Sequence, residues 1–546
     1  MDRPHAAVKS PNRLPSWFLW LLALPAVSFV SVFFVIPVAT LLHRSFTTEA
    51  LRTIVHDASL RQVVWFTAWQ AALSTLLTVA IGLVPAYVLA RYEFPARRWV
   101  TALITVPFVL PTVVVGAAFL ALLPDSLNQG AVAIMAAHVF FNVAVVARGV
   151  GSLWEQLPTD INAAARTLGA SPIRAMREIT LPLLAPAIFA SASIVFLFTF
   201  TSFGVVRLLG GPAHPTLEVE IWQRATRFGD IDVAAMLSVM QLVVLAAAVV
   251  LFARIQHRHG RALRLANASY RTRADNSRQR LFVGATVTAI VVGVGTPLAA
   301  LAERSLRPGS RHSLAAWRAV FGAPSPTSTR PAASQGVDAL ASLATSVRFA
   351  ALAAVIAVTI GGCAALAIAA LGRNGRLVDI GLMLPLGTSA VTIGFGLLIT
   401  FDTPPFDWRS AWWMIPIGHA LVATPFVVRM VLPVLRSIDP KLRDAALTLG
   451  ASPLQAWRSI DVRIVRRALL AGAGFALAIS LGEFGATSFL TRRGSETLPI
   501  AIERLLNKPG ALLHAQGYVL ATMLAALTCV VVAVVEGVRT GGDQRA

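Results

Sequence analysis

Charge is what this sequence has least of. Only 13% of its 546 residues are Asp, Glu, Lys or Arg, about half the share of an average soluble domain, which excludes an ordinary water-facing surface. Cysteine is nearly absent. Cys363 and Cys529 both lie in apolar stretches, so a disulfide framework or cysteine metal site is not expected. Lysine is limited to Lys9, Lys441 and Lys508, and no Gly-x-x-x-x-Gly-Lys-Ser/Thr stretch occurs. The chain therefore has no conventional loop for cradling ATP phosphates.

What is present is apolar: 56% of the residues are hydrophobic. A bilayer core of ~30 Å needs ~20 such residues per helical crossing. Twelve stretches qualify, near 17–42, 65–90, 99–123, 130–147, 187–206, 235–253, 281–302, 349–371, 378–400, 411–428, 468–490 and 515–538. Pro107, Pro111, Pro385 and Gly394 interrupt some of them, which neighbouring helices in a membrane can accommodate. The first follows Arg3, Lys9 and Arg13 but lacks a small-x-small cleavage site, so an uncleaved anchor is expected.

The formal charge of +21 raises the possibility of nucleic acid, but its distribution points to a bilayer. With the N-terminus inside and sides alternating, 30 Lys and Arg fall inside and 17 outside, over about equal lengths. That is the positive-inside bias, and it puts both termini in the cytoplasm. The richest segment, Arg254 to Arg280, reads as a basic, headgroup-facing linker. His257 and His259 within it are the alternative, a metal pair.

Sliding the chain by 281 residues superimposes TLGASP at 167–172 on TLGASP at 448–453. His138 then falls on His419, Arg148 on Arg429, Phe203-Gly204 on Phe484-Gly485, and Thr216-Leu217 on Thr497-Leu498. With a three-residue gap, Pro107 and Gly116 fall on Pro385 and Gly394. The chain is two homologous halves, 1–253 and 281–546, joined by the linker 254–280. An even number of crossings per half gives both copies the same orientation, about a pseudo-twofold axis along the membrane normal, with a pathway expected between them. The outer segment 303–348 reads as an irregular connector.

Both hexapeptides lie in inside segments, about 155–186 and 436–467. Each follows a short Ala/Leu-rich helix entered by Thr159 or Asp160 in one copy and Asp439-Pro440 in the other. Gly169 and Gly450 suit the left-handed residue that ends such a helix. Ser171-Pro172 and Ser452-Pro453 read as cap and first residue of a second short helix. Two readings are open: a turn copied with its half, or a docking corner. The latter would use an apolar edge of Ile173, Met176, Leu454 and Trp457 beside the basic Arg174, Arg177 and Arg458.

These segments resemble the EAA loop of permease subunits of ATP-binding cassette importers: Glu-Ala-Ala, three residues, Gly, nine residues, Ile-x-Leu-Pro. The first copy matches at Ala164, Ala165, Gly169, Ile179, Leu181 and Pro182, with Ala163 in place of Glu. The second has Asp444, Ala445, Ala446, Gly450 and Ile460, with Val462-Arg463 in place of Leu-Pro. The resemblance implies an all-α polytopic protein of about twelve spans, two tandem type I importer permease halves in a prokaryotic plasma membrane. It implies that residues 171–178 and 452–459 insert into two copies of a cytoplasmic ATPase. It further implies an external solute-binding protein, and ATP and Mg used by the partner with no cofactor bound by this chain.

The fifth span of each half is rich in small and hydroxyl residues: Thr199, Thr201, Ser202 and Gly204 in one, Ser480, Gly482, Gly485 and Thr487 in the other. Close packing is one reading; a translocation path lined by Thr201, Ser202, Phe203, Gly204, Ser480, Glu483, Phe484 and Gly485 is the second. Glu483 is costly inside a span, and either faces that path or pairs with an arginine such as Arg429. With "AHVFFNVAVVAR" at 137–148, these stretches are similar to fused permeases of the thiamine and ferric-iron importer group, "SFGVVRLLGGPAHPTLEVEIW" at 202–222 most of all to the thiamine members. Either substrate, thiamine with its phosphates or ferric iron, fits an acidic path. An ion-coupled secondary transporter would need more titratable groups within its spans than Glu483. A membrane enzyme built on His138, His419 and Glu483 lacks any His-Glu-x-x-His or nucleophile motif.

Overall fold

The computed structural model describes residues 16–158, 160–259, 271–322, 338–492 and 494–540. Among them, ten helices are long and apolar enough to cross a membrane, and two bent helix pairs bring the candidates to twelve. The expected third and ninth spans are those pairs, and neither is straight. Arg97–Val109 meets Thr112–Leu122 at 102°, and Arg376–Gly387 meets Ala390–Thr400 at 100°. In the first, Leu110 precedes Pro111 and is extended (φ −65°, ψ 141°), as the proline ring forces on the residue before it. In the second, Ser389 is an N-cap, its Oγ accepting from the Val391 N–H at 3.1 Å, and so restarts the helix in a new direction.

The fifth and eleventh spans also depart from continuous helices. The first breaks after Phe200 and resumes as Gly204–Leu209; the second breaks after Gly482 and resumes as Thr487–Leu490. Each is followed by a short helix, Leu217–Gln223 or Leu498–Leu506. Those helices are tied to their halves in the same way: the Leu217 N–H donates to Thr67 Oγ1 at 2.9 Å, and the Leu498 N–H to Ser346 Oγ at 2.7 Å.

Duplication does not produce two separate packing units. The first span buries Ala23, Ala26, Phe29 and Phe34 with Phe349, Ala353 and Ala357 of the second half. The seventh span, Ser277–Ser305, packs on the bent pair of the first half as well as on the twelfth span. Each half thus lends its first helix to the other. The linker is shorter than its expected bounds, because helix Ile231–His259 runs through its beginning and Ser277 starts the next span. Between them Thr272-Arg273 pairs in parallel with Tyr92-Glu93, and Arg271 forms an ion pair with Glu155. The side chains of His257 and His259 lie outside the described residues; no group of three or more potential metal ligands occurs among those described.

Candidate functional site

The two hexapeptides form matching corners. Gly169 and Gly450 have φ of +86° and +88°, the left-handed conformation that costs any residue with a Cβ. The Gly169 N–H donates to Arg166 O and the Ala170 N–H to Ala165 O; Gly450 and Ala451 repeat this with Leu447 and Ala446, so the preceding helix ends with its carbonyls satisfied. Ser171 and Ser452 cap the next helix, accepting from Arg174 N–H and Gln455 N–H, both at 3.3 Å. Asp439 caps the helix before the second corner, accepting from the Lys441 N–H at 2.9 Å. Thr159 lies outside the described residues.

One expectation is corrected here. The second helix of each corner is not a separate short element but the opening turn of the long spans Pro172–Phe200 and Pro453–Gly482. Both pass through a wide π-helical turn, Met176–Thr180 or Trp457–Val462, which shifts the hydrogen-bond register just before the span proper. In the first copy that shift lets Pro182, which has no N–H, sit in the first turn of the α-helix that follows.

Ala164, Asp444, Ala445, Ser171, Pro172, Ile173, Arg174, Arg177, Ser452, Leu454 and Arg458 are exposed, and Ala165, Met176, Ala446 and Pro453 half-buried. The most exposed apolar groups are residues the sequence reading passed over: Leu168 and Leu449, each 88% exposed at the tip of its corner. The repeat held the signal, since a leucine kept twice at a turn has no core to fill. Trp457 is not part of a free edge, because its ring meets Phe18 of the first span edge-on, centroids 6.2 Å apart. Arg443 grips the buried Asp461 in the second corner; Asn162 and Thr180, at the equivalent positions, cannot form that ion pair.

At the other end of these spans the halves meet on their axis. Phe203 and Phe484, equivalent in the repeat, lie ring against ring at 5.1 Å, both buried. Two symmetry-related residues touching each other marks the pseudo-twofold axis, and here aromatic rings close it. Around them the halves are joined by Arg207 to Glu503 at 2.7 Å and by Trp222 Nε1–H to Ser488 O at 3.4 Å. Gly204 and Gly485 serve packing: a Cβ on the first would collide with Thr112, and on the second would lie 3.1 Å from Ala390. Thr201 Oγ1–H donates to Leu197 O at 2.8 Å, within its own helix; Ser202 is buried beside the axis.

Glu483 does not pair with Arg429, which lies ten residues along the helix from His419, about 15 Å toward the corner, and donates to Met383 Sδ at 3.2 Å. Instead Glu483 caps the break. Its Oε1 accepts from Ala486 N–H at 2.8 Å, and its Oε2 from Thr487 N–H at 3.0 Å and Thr487 Oγ1–H at 2.6 Å. His419 Nε2 stands 3.2 Å from Oε2, while its Nδ1 meets Ser480 Oγ at 2.7 Å. Both carboxylate oxygens are thus engaged within one half.

A second buried carboxylate, Glu218, was not singled out by the sequence, because it belongs to a short helix rather than a span. It is fully buried. Its Oε1 accepts from Gln241 Nε2–H; the Ser389 hydroxyl of the other half is within reach of the carboxylate, but its Oε2 makes no hydrogen bond of good geometry.

A corner repeated in each half and an axis on which the halves meet define a two-fold, multi-pass membrane protein. The family described as binding-protein-dependent transport system inner membrane component matches residues 78–265 and 357–539, and the chain belongs to it. It is a multi-pass permease of the ABC importer class, not an enzyme. It is 25% identical to the thiamine transport system permease protein ThiP of Salmonella typhimurium, covering 82% of this chain and 84% of the relative. It is 27% identical to the ThiP of Brucella suis, over 81% and 82%, and 24% identical to the probable ABC transporter permease protein y4fN of Sinorhizobium fredii, over 90% and 91%. A crystal structure of a bacterial ABC transporter involved in import of the acidic polysaccharide alginate resembles 44% of this chain and 96% of its own, with 16% identity and a TM-score of 0.40.

Proposed function

We propose that this chain carries thiamine, or its phosphates, through the membrane, taking the solute from an external binding protein. The movement is driven by two copies of a cytoplasmic ATPase, one under each corner. The observation that carries the substrate is the likeness to thiamine permeases over more than four-fifths of both chains. What supports the coupling is the pair of corners, each presenting an almost fully exposed leucine, Leu168 or Leu449, on a helix end held rigid by a left-handed glycine and a serine cap. ATP and Mg belong to the partner.

In this reading the present state is shut at Phe203 and Phe484. The corners begin the same spans, Pro172–Phe200 and Pro453–Gly482, that end two or three residues before those rings. A push on a corner is therefore passed along a single span to the break beside the axis. Uptake of labelled thiamine by cells expressing the chain with its ATPase and binding protein tests the substrate; uptake of ferric iron in its place would replace it. Gly169→Pro with Gly450→Pro should abolish co-purification of the ATPase, and undiminished association would remove the corners from that role.

A further inference from the structure

We propose that Glu218 is the acceptor for the positive charge of the transported solute, in a site shared between the two halves. The inference rests on the reading of the chain as an importer of a cationic solute.

Glu218 is the carboxylate that the fold leaves incomplete. Glu483, its apparent rival, accepts from two backbone N–H groups and a hydroxyl and faces His419, so a ligand could reach it only by dismantling the helix break. Glu218 has one oxygen held by Gln241 and the other in reach of the Ser389 hydroxyl alone, with no hydrogen bond of good geometry. No ion pair to it occurs among the described residues. The nearby arginines are committed elsewhere, Arg207 to Glu503 and Arg224 to Glu220, Asp230 and Asp57. A buried carboxylate without a counter-charge is expensive in a low-dielectric interior.

The two helices that meet here, Leu217–Gln223 and Ala390–Thr400, and Gln241 carry further oxygens suited to a cation. Gln241 Oε1, Thr216 Oγ1 and Thr392 Oγ1 are also buried without hydrogen-bond partners. Thr216 is the cap residue of the Glu218 helix, and Thr392 lies one turn beyond Ser389 in the other half. All are oxygens. With one carboxylate and no group of three or more potential metal ligands among the described residues, the set suits a diffuse organic cation rather than a multivalent metal ion. The location fits transport, because carboxylate and Gln241 come from one half and Ser389 from the other. Parting the halves uncovers the site, and rejoining them closes it.

The test uses the purified full-length chain in detergent, melted at constant ionic strength with thiamine, tetramethylammonium chloride, sodium chloride, or the uncharged thiamine relative thiochrome. Wild type should be stabilised by thiamine and by tetramethylammonium but not by thiochrome. Glu218→Gln, which preserves shape, should melt normally without ligand and bind either organic cation about tenfold to a hundredfold more weakly, the size of one charge-assisted contact. Equal stabilisation of wild type and Glu218→Gln would overturn the site, as would sodium acting as well as tetramethylammonium. The two readings fail separately. A chain stabilised through Glu218 that imports no thiamine loses the substrate assignment and keeps the cation site; normal thiamine import by Glu218→Gln does the reverse.

Discussion

His138 and His419 occupy equivalent places in the two halves and have different surroundings. His419 touches Ser480, Thr487 and Glu483, and both ring nitrogens are used. His138 reaches only Ser74, at 3.3 Å through Nδ1, and its Nε2 has no hydrogen-bond partner. The residues equivalent to Ser480, Glu483 and Thr487 are Thr199, Ser202 and Val206. The helical frame was copied, while the polar groups that fill it were redistributed. One half holds a braced carboxylate at its helix break, and the other holds Glu218 at the seam, where the second half has Pro499.

The largest effect expected from breaking this comparison is at Glu483. Glu483→Ala strands two buried N–H groups and the His419 ring, and should cost about 3–5 kcal/mol. Ser202→Ala, its counterpart, should cost less than about 1 kcal/mol. Melting temperatures of the two variants in one detergent decide it, and equal losses would remove the asymmetry.

The corners come next. Arg443→Ala leaves Asp461 buried and unpaired, but Arg443 is itself partly solvated, so the loss should be about 1–2 kcal/mol. Limited proteolysis within 436–467 against 155–186 reads the difference, with faster cutting expected only in the second corner of the Arg443 variant. Smaller again are Gly169→Ala and Gly450→Ala, about 1 kcal/mol each, since an added Cβ meets nothing within 4 Å and only the backbone is strained. Equal melting losses with unequal loss of ATPase stimulation would show that the corners contribute unequally to coupling.

The smallest effect is electrostatic. Asp57 and Asp338 cap the second span of each half, Asp57 accepting from Ser59 N–H and Asp338 from Ala341 N–H. Hydrogen bonds from Ser59 hold the Asp57 carboxyl below its ordinary range, and Arg224 adds to this. A depressed carboxylate contributes stability above its unfolded-state pKa and loses it as pH falls through the folded value. Asp57→Asn should therefore flatten a slight loss of melting temperature on acidification; an unchanged slope would show that the carboxylate does not contribute.

Much of this was legible beforehand because it is local. Pro, Ser and Gly punctuate TLGASP in a way that permits little besides a helix end, a left-handed residue and a capped restart, and the structure has all three at Gly169, Ser171, Gly450 and Ser452. Less legible was whatever depends on which helices become neighbours. Charge alone leaves Glu483 either facing a path or pairing with an arginine, whereas helix length places His419 beside it and carries Arg429 away. The third and ninth spans looked continuous because apolar content measures length but not direction.

Apolar run length and the 281-residue offset determine by themselves that the chain is a doubled, multi-pass membrane protein, since the first follows from the cost of placing polar groups in lipid and the second from duplication itself. The permease role came from the resemblance of the two corners to a known loop and from the family match. Tertiary packing alone decided that the halves exchange their first helices, that Phe203 meets Phe484 on the axis, and that Glu218 is left without a counter-charge. Those contacts join residues far apart along the chain, and no local propensity encodes which distant surfaces will be pressed together.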